Sequence, residues 1–172
     1  MSTVIRETLF EMLKDRGYTI PRNISGNFTC NKGKFTTLVY FSTEESIGIK
    51  SLKKIAERME STGINSTILI YKKTITSSGK AFMDKKTTTI EAFKEDDFLV
   101  NITKHELAPM YKVLSYQEKK QLVVDLHTSE TLFPRIQFSD PVARWYGMKR
   151  GDVLQVVRKS ETTGEAVSYR TL

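Results

Sequence analysis

The chain has 172 residues and a formal charge of +7, with 39% hydrophobic and 27% charged residues. Domains commonly run from about 50 to 200 residues, so this length holds one good core or two small ones. No window approaches the roughly 20 apolar residues of a membrane span, which predicts a soluble protein with no membrane partner. Cys30 is the single cysteine, and Met1-Ser2-Thr3-Val4-Ile5-Arg6-Glu7 lacks the basic segment and apolar core of a secretion signal. Both point to a reducing compartment. The basic excess is spread evenly: 16 Lys and Arg against 12 Asp and Glu in residues 1–100, and 11 against 8 in 101–172. A protein that binds nucleic acid by itself concentrates its cations on one element. The even spread reads first as a solvated surface that happens to be basic, and leaves open a polyanion contact that depends on partners.

Taken in chain order, Val4, Ile5, Leu9, Met12 and Leu13 fall at helical spacing, and the pattern stops at Arg16-Gly17. A polar stretch holding Pro21, Gly26 and Gly33 follows, placing Cys30 in a loop, and Phe35–Phe41 then reads as a strand. Thr43-Glu44-Glu45 supplies a helix start. Ile49, Leu52, Ile55, Ala56 and Met59 form its apolar stripe, and Gly63 closes it. Ser66–Tyr71, with Ile68, Leu69 and Ile70 in a row, has the composition of a strand buried on both faces of a parallel sheet. A short helix over Ser78–Asp84, a strand over Thr87–Phe93, an acidic bend at Glu95-Asp96-Asp97 and a final strand over Phe98–Ile102 complete the half. The expectation is an α/β unit of βαβ connections in residues 1–100.

In residues 101–172, Ser115 with Glu118 spells a capping box opening a helix through Leu126, and Leu132–Phe138 reads as a short strand holding Pro134. Asp140 suits an N-cap and Pro141 the first helical position, with Gly147 ending the helix after fewer than two turns. Lys149-Arg150-Gly151-Asp152 is a turn. Val153–Val157 and Ala166–Leu172 are partners of a hairpin across Thr163-Gly164. The fold class is α+β overall: an amino-terminal α/β unit and a small carboxy-terminal α+β unit with a mixed sheet.

Four linked segments in this tail carry a resemblance: Asp140-Pro141-Val142-Ala143-Arg144, Lys149-Arg150-Gly151-Asp152, Arg158-Lys159-Ser160-Glu161-Thr162 with Gly164, and Tyr169-Arg170. In order and spacing they resemble the assembly module of the fifth subunit of eukaryotic DNA-directed RNA polymerases and of its archaeal counterpart. Asn101-Ile102-Thr103-Lys104-His105-Glu106-Leu107 with Pro109, the L-P-R-I-Q-like run at Leu132–Gln137, Asp15-Arg16-Gly17-Tyr18, Gly48-Ile49-Lys50 and Arg58-Met59 extend the match over most of the chain. The resemblance implies a non-catalytic polymerase subunit that docks on the largest subunit and meets other subunits of the complex. The implied docking candidates are Asp140, Pro141, Val142, Ala143, Arg144, Arg150 and Gly151, some as contacts and others as shapers of the surface.

It also implies that residues 1–100 form a jaw beside downstream duplex DNA. Thr76, Ser77, Ser78 and Lys80 stand where the family has T-P-S-A-K, with Ser77 and Gly79 in place of Pro and Ala. Hydroxyls at a helix start followed by Lys suit phosphate contacts that position a duplex without reading it. The jaw is shorter than in typical eukaryotic members, and Tyr111 replaces a second family His. These departures point to a large DNA virus or a divergent eukaryote, hence to a nuclear location if cellular and to a cytoplasmic virus factory or virion if viral.

The residues offer little to an enzyme: no catalytic group, no cofactor and no metal site are expected. His105 and His127 lie 22 residues apart without a ligand at metal spacing, and Cys30 has no His nearby. Two other readings compete. The K-R-G-D-V run also resembles a turn of small DNA-binding barrels. Asp84 with Glu91-x-x-Lys94 could serve a metal-dependent nuclease, although Glu91 and Lys94 would fall on opposite faces of a regular strand.

Overall fold

The computed structural model describes residues 3–21, 26–64, 66–85, 89–162 and 164–172. It divides into two compact units, residues 1–100 and 101–172. In the first, helix α1 (Thr3–Asp15) precedes strands β1 (Phe28–Lys32) and β2 (Phe35–Phe41). The short strand β3 (Ser46–Ile47), helix α2 (Ile49–Thr62) and strand β4 (Ser66–Tyr71) follow. Then come β5 (Thr74–Ile75), α3 (Ser77–Lys85) and β6 (Thr89–Lys94), closed by a 3-10 turn at Glu95–Phe98. The main sheet runs β1-β2-β4-β6, antiparallel at β1–β2 and parallel thereafter.

Register decides the two faces. Tyr40, Leu69 and Ala92 are paired neighbours across the sheet and pack with Leu52, Ile55 and Met59 of α2 and Phe82 of α3. The alternate residues Val39, Ile68 and Glu91 turn to the opposite face. There Phe28 meets Phe10 of α1 with ring centroids 5.9 Å apart, and Phe93 meets Phe98 at 5.6 Å. The run Ile68-Leu69-Ile70 is continuous because both faces are covered, as expected of a parallel strand.

Helices α1 and α2 end alike. Gly17 (φ 80°) and Gly63 (φ 67°) take the left-handed conformation, and the residue after each donates back to the carbonyl five positions earlier: Tyr18 to Leu13 at 2.9 Å and Ile64 to Met59 at 3.0 Å.

Several expectations are corrected. The α2 helix starts at Ile49 behind Gly48, not at Thr43, because Ser46–Ile47 pairs with Thr74–Ile75 and buries Ile47. Phe98–Ile102 is not a strand. Asp97 accepts from the backbone N–H of Lys94 at 3.1 Å and tightens the acidic segment into its 3-10 turn. Of the apolar run that follows, only Phe98 is buried, while Leu99 and Val100 are exposed. Cys30 lies in a strand rather than a loop: Phe28 and Cys30 point inward and Thr29 and Asn31 outward, an alternation hidden by polar spelling. Thr87, Thr88 and Thr163 lie outside the described residues.

In the second unit, β7 (Met110–Val113), α4 (Tyr116–Asp125), a 3-10 turn at Glu130–Leu132, α5 (Pro141–Tyr146), β8 (Val153–Ser160) and β9 (Gly164–Thr171) follow in order. The sheet is β7-β8-β9, antiparallel throughout; its mixed character comes from one parallel bridge between Arg135 and Thr171. Leu132–Phe138 therefore contributes a bridge and not a strand. Pro134 has no N–H to donate, and its carbonyl accepts from Thr171 at 2.9 Å while Ile136 donates to the Thr171 carbonyl at 2.8 Å. Strand β7 was not expected, although Tyr111 and Val113 alternate inward with Met110 and Lys112 outward.

Candidate partner-docking surface

The Asp140–Gly147 segment is a short helix held at both ends. Asp140 accepts from the Val142 N–H at 2.8 Å and Pro141 occupies the first turn. Gly147 (φ 61°) closes the helix, with Met148 donating to the Ala143 carbonyl at 3.0 Å. Fewer than two turns cannot persist alone, so the helix stands on packing. Ala143 and Met148 join Leu154 and Val156 in the core, with Tyr111, Ile136, Val142 and Tyr146 around them.

This placement sorts the docking candidates. Ala143 faces inward with 2% exposure, and Val142 packs at the core's edge. Both shape the surface from beneath. Pro141 is exposed, Arg144 is half-buried, and Asp140 spends its carboxylate on the cap. Arg150 is exposed, its guanidinium 5.6 Å above the ring of Phe138. Gly151 (φ 85°) supplies the left-handed position of the Lys149–Asp152 turn, where Asp152 accepts from the Lys149 N–H at 2.7 Å.

Lys119 escaped the sequence reading. Its ammonium bonds the Gly151 carbonyl at 3.1 Å and Glu130 at 2.8 Å, pinning two turns together. No local pattern announces a contact that spans 32 positions. The α4 helix that carries Lys119 opens with the expected capping box: Ser115 and Glu118 exchange bonds of 3.4 and 2.8 Å. The Lys112 ammonium and these bonds hold the Glu118 carboxyl down at about 2. None of the residues of α4 is buried, and Tyr116 and Val124 are exposed.

The duplex candidates cluster at the start of α3. Thr76 accepts from the Gly79 N–H at 3.2 Å and meets Ser78 at 3.2 Å. Ser77, Ser78 and Lys80 are exposed. A Cβ at Gly79 would lie 3.1 to 3.2 Å from side-chain atoms of Ile75, Leu52 and Thr76. These side chains would have to give by a few tenths of an ångström to admit it.

The nuclease reading finds no support in the described geometry. Glu91 binds Arg16 at 2.8 Å, and the Arg16 guanidinium, only 3% exposed, also lies 5.7 Å over Phe93. Lys94 pairs with Asp96. Among the described residues no group of three His, Cys, Asp or Glu could hold a metal ion. The side chain of Asp84 lies outside the described residues. Burial pushes the Cys30 thiol up to about 11, away from nucleophilic use. The barrel reading fails as well, since the β7-β8-β9 sheet is open. Among the described residues no helix is long and apolar enough to cross a membrane.

Comparison with known proteins adds a family. Residues 100–172 match the family described as RNA polymerase Rpb5, C-terminal domain. The chain is 37% identical to DNA-directed RNA polymerases I, II, and III subunit rpabc1 of Dictyostelium discoideum, covering 96% of this chain and 94% of that protein. It is 31% identical to the subunit RPABC1 of Caenorhabditis briggsae, over 96% of this chain and 92% of the relative.

Proposed function

Because the chain belongs to the Rpb5 family of DNA-directed RNA polymerase subunits, we propose that residues 101–172 dock it on the largest subunit of such an enzyme. It is a non-catalytic component of a multisubunit RNA polymerase, and the chemistry belongs to other subunits. In this reading residues 1–100 are a jaw, with Thr76, Ser77, Ser78 and Lys80 offered to the phosphates of downstream duplex DNA. The protein works in the nucleus of a cell, or in a virus factory or virion if a virus encodes it.

One observation carries the docking assignment. Among the described residues of 101–172, seven apolar residues are buried, whereas eight large ones are exposed, from Leu107 and Met110 to Phe138 and Val167. Beside so small a core, the docking reading gives these exposed apolar side chains to a partner.

The test is co-purification of tagged chains with the polymerase. Removing 101–172 is expected to abolish incorporation, and removing 1–100 to leave docking largely intact. Failure of the 101–172 piece to capture the largest subunit would overturn the assignment. For the jaw, a gel shift with free duplex DNA is expected to show little binding by the isolated chain. A steep salt dependence there would instead mark an independent binder.

A further inference from the structure

We infer that the groove between the Glu130–Leu132 turn and the Lys149–Asp152 turn receives an acidic segment of the largest polymerase subunit. This rests on the docking reading above and specifies the chemistry of the partner. The groove has a volume of about 510 Å³, with Arg135, Ile136, Phe138, Arg150 and Thr171 in its walls. That is the size range, about 300 to 1,000 Å³, in which pockets enclose ligand groups. Backbone bonds brace it: Gly151 donates to the Leu172 carbonyl at 3.2 Å, Leu172 to that of Asp152 at 3.1 Å, and Ile136 to that of Thr171 at 2.8 Å.

Its side-chain charge leans positive. Glu130, the acidic side chain of the lining, is already neutralised by Lys119 at 2.8 Å. Arg135 and Arg150 are both exposed, and neither has a carboxylate partner among the described residues. Two guanidiniums therefore face the groove without a side-chain carboxylate bound to either among the described residues. The Phe138 ring, itself 53% exposed, carries the Arg150 guanidinium on its face and so limits the directions in which the fork can point.

Arginine is among the residues enriched where binding energy concentrates at protein interfaces. A guanidinium fork takes a carboxylate through two parallel bonds, and the apolar wall of Ile136 and Phe138 suits the side chain next to it. A duplex would need a longer row of free cations spaced along successive phosphates. Here Lys119 is committed to Glu130, which leaves two. The acidic polypeptide fits the groove better than a nucleic acid does.

The experiment uses the full chain co-expressed with the polymerase subunits. The double variant Arg135→Glu, Arg150→Glu is expected to enter the complex at least about tenfold less well, as loss of an interface hot spot does. The free variant should unfold at the same temperature as the parent, since both side chains are exposed. A photo-crosslinking residue at Phe138 of the otherwise intact chain is expected to mark a segment of the largest subunit rich in Asp and Glu. Undiminished incorporation of the double variant, or a crosslink to DNA or to a segment without acids, overturns the inference. If removing 101–172 abolishes incorporation while the charge reversal does not, only this inference falls. If the parent chain also stays outside the polymerase, the docking reading falls with it.

Discussion

The two units handle apolar surface in opposite ways. Among the described residues, 1–100 bury nineteen apolar residues and leave four large ones exposed, while 101–172 bury seven and expose eight. The first unit encloses its core between helices on both faces of a sheet. The second has a three-stranded sheet, one short helix on its core and a helix, α4, with nothing buried. A core that small is marginal by itself, because the buried fraction of a chain falls with its size. Under the docking proposal, the second unit is the one left to be completed by what it binds.

The sharpest way to break this comparison is Trp145→Ala. A buried aromatic truncation costs about 3 to 5 kcal/mol, enough to erase the cooperative unfolding of residues 101–172, where Trp145 is one of seven buried apolar residues. Leu52→Ala in the first unit costs a comparable about 2 to 5 kcal/mol but should leave a measurable transition. Denaturant melts followed by probes in each unit check both, and equal tolerance would dissolve the contrast.

Next comes Glu91→Ala, which removes the ion pair of the buried Arg16. Loss of a bond to a charged group predicts about 2 kcal/mol of destabilisation, confined to the first unit and read as a lower denaturant midpoint. Asp140→Ala removes the cap of α5 and should cost about 1 kcal/mol, with the thermal transition of the second unit shifted and that of the first unchanged. The smallest effect has the opposite sign. Thr67 is 1% exposed and its hydroxyl finds no hydrogen-bond partner among the described residues. Thr67→Val should therefore stabilise the first unit by about 1 kcal/mol, and a drop in midpoint would mean that the hydroxyl is satisfied.

How far these features were readable follows from where their information sits. The caps at Asp140 and Ser115, the stops at Gly17, Gly63 and Gly147, and the stripe of α2 involve neighbours within about one helical turn, so their spelling survives in the chain. Strand β1 and the start of α2 did not read correctly because tertiary burial outweighed local propensity: Cys30 and Ile47 were pulled into the core from polar surroundings. Among the docking candidates, the motif showed the right turn and helix but could not separate Ala143, which faces the core, from Arg150, which faces out.

Helix ends, turn types and family membership were thus written into the order of residues, since each depends on side chains within a few positions or on their spacing. The groove of Arg135 and Arg150, the Lys119 bridge and the Arg16–Glu91 pair were settled only by folding, because each joins groups from well-separated stretches of the chain. What a groove can bind depends on which charges remain unpaired once every other partner has been found, and that is a property of the folded whole.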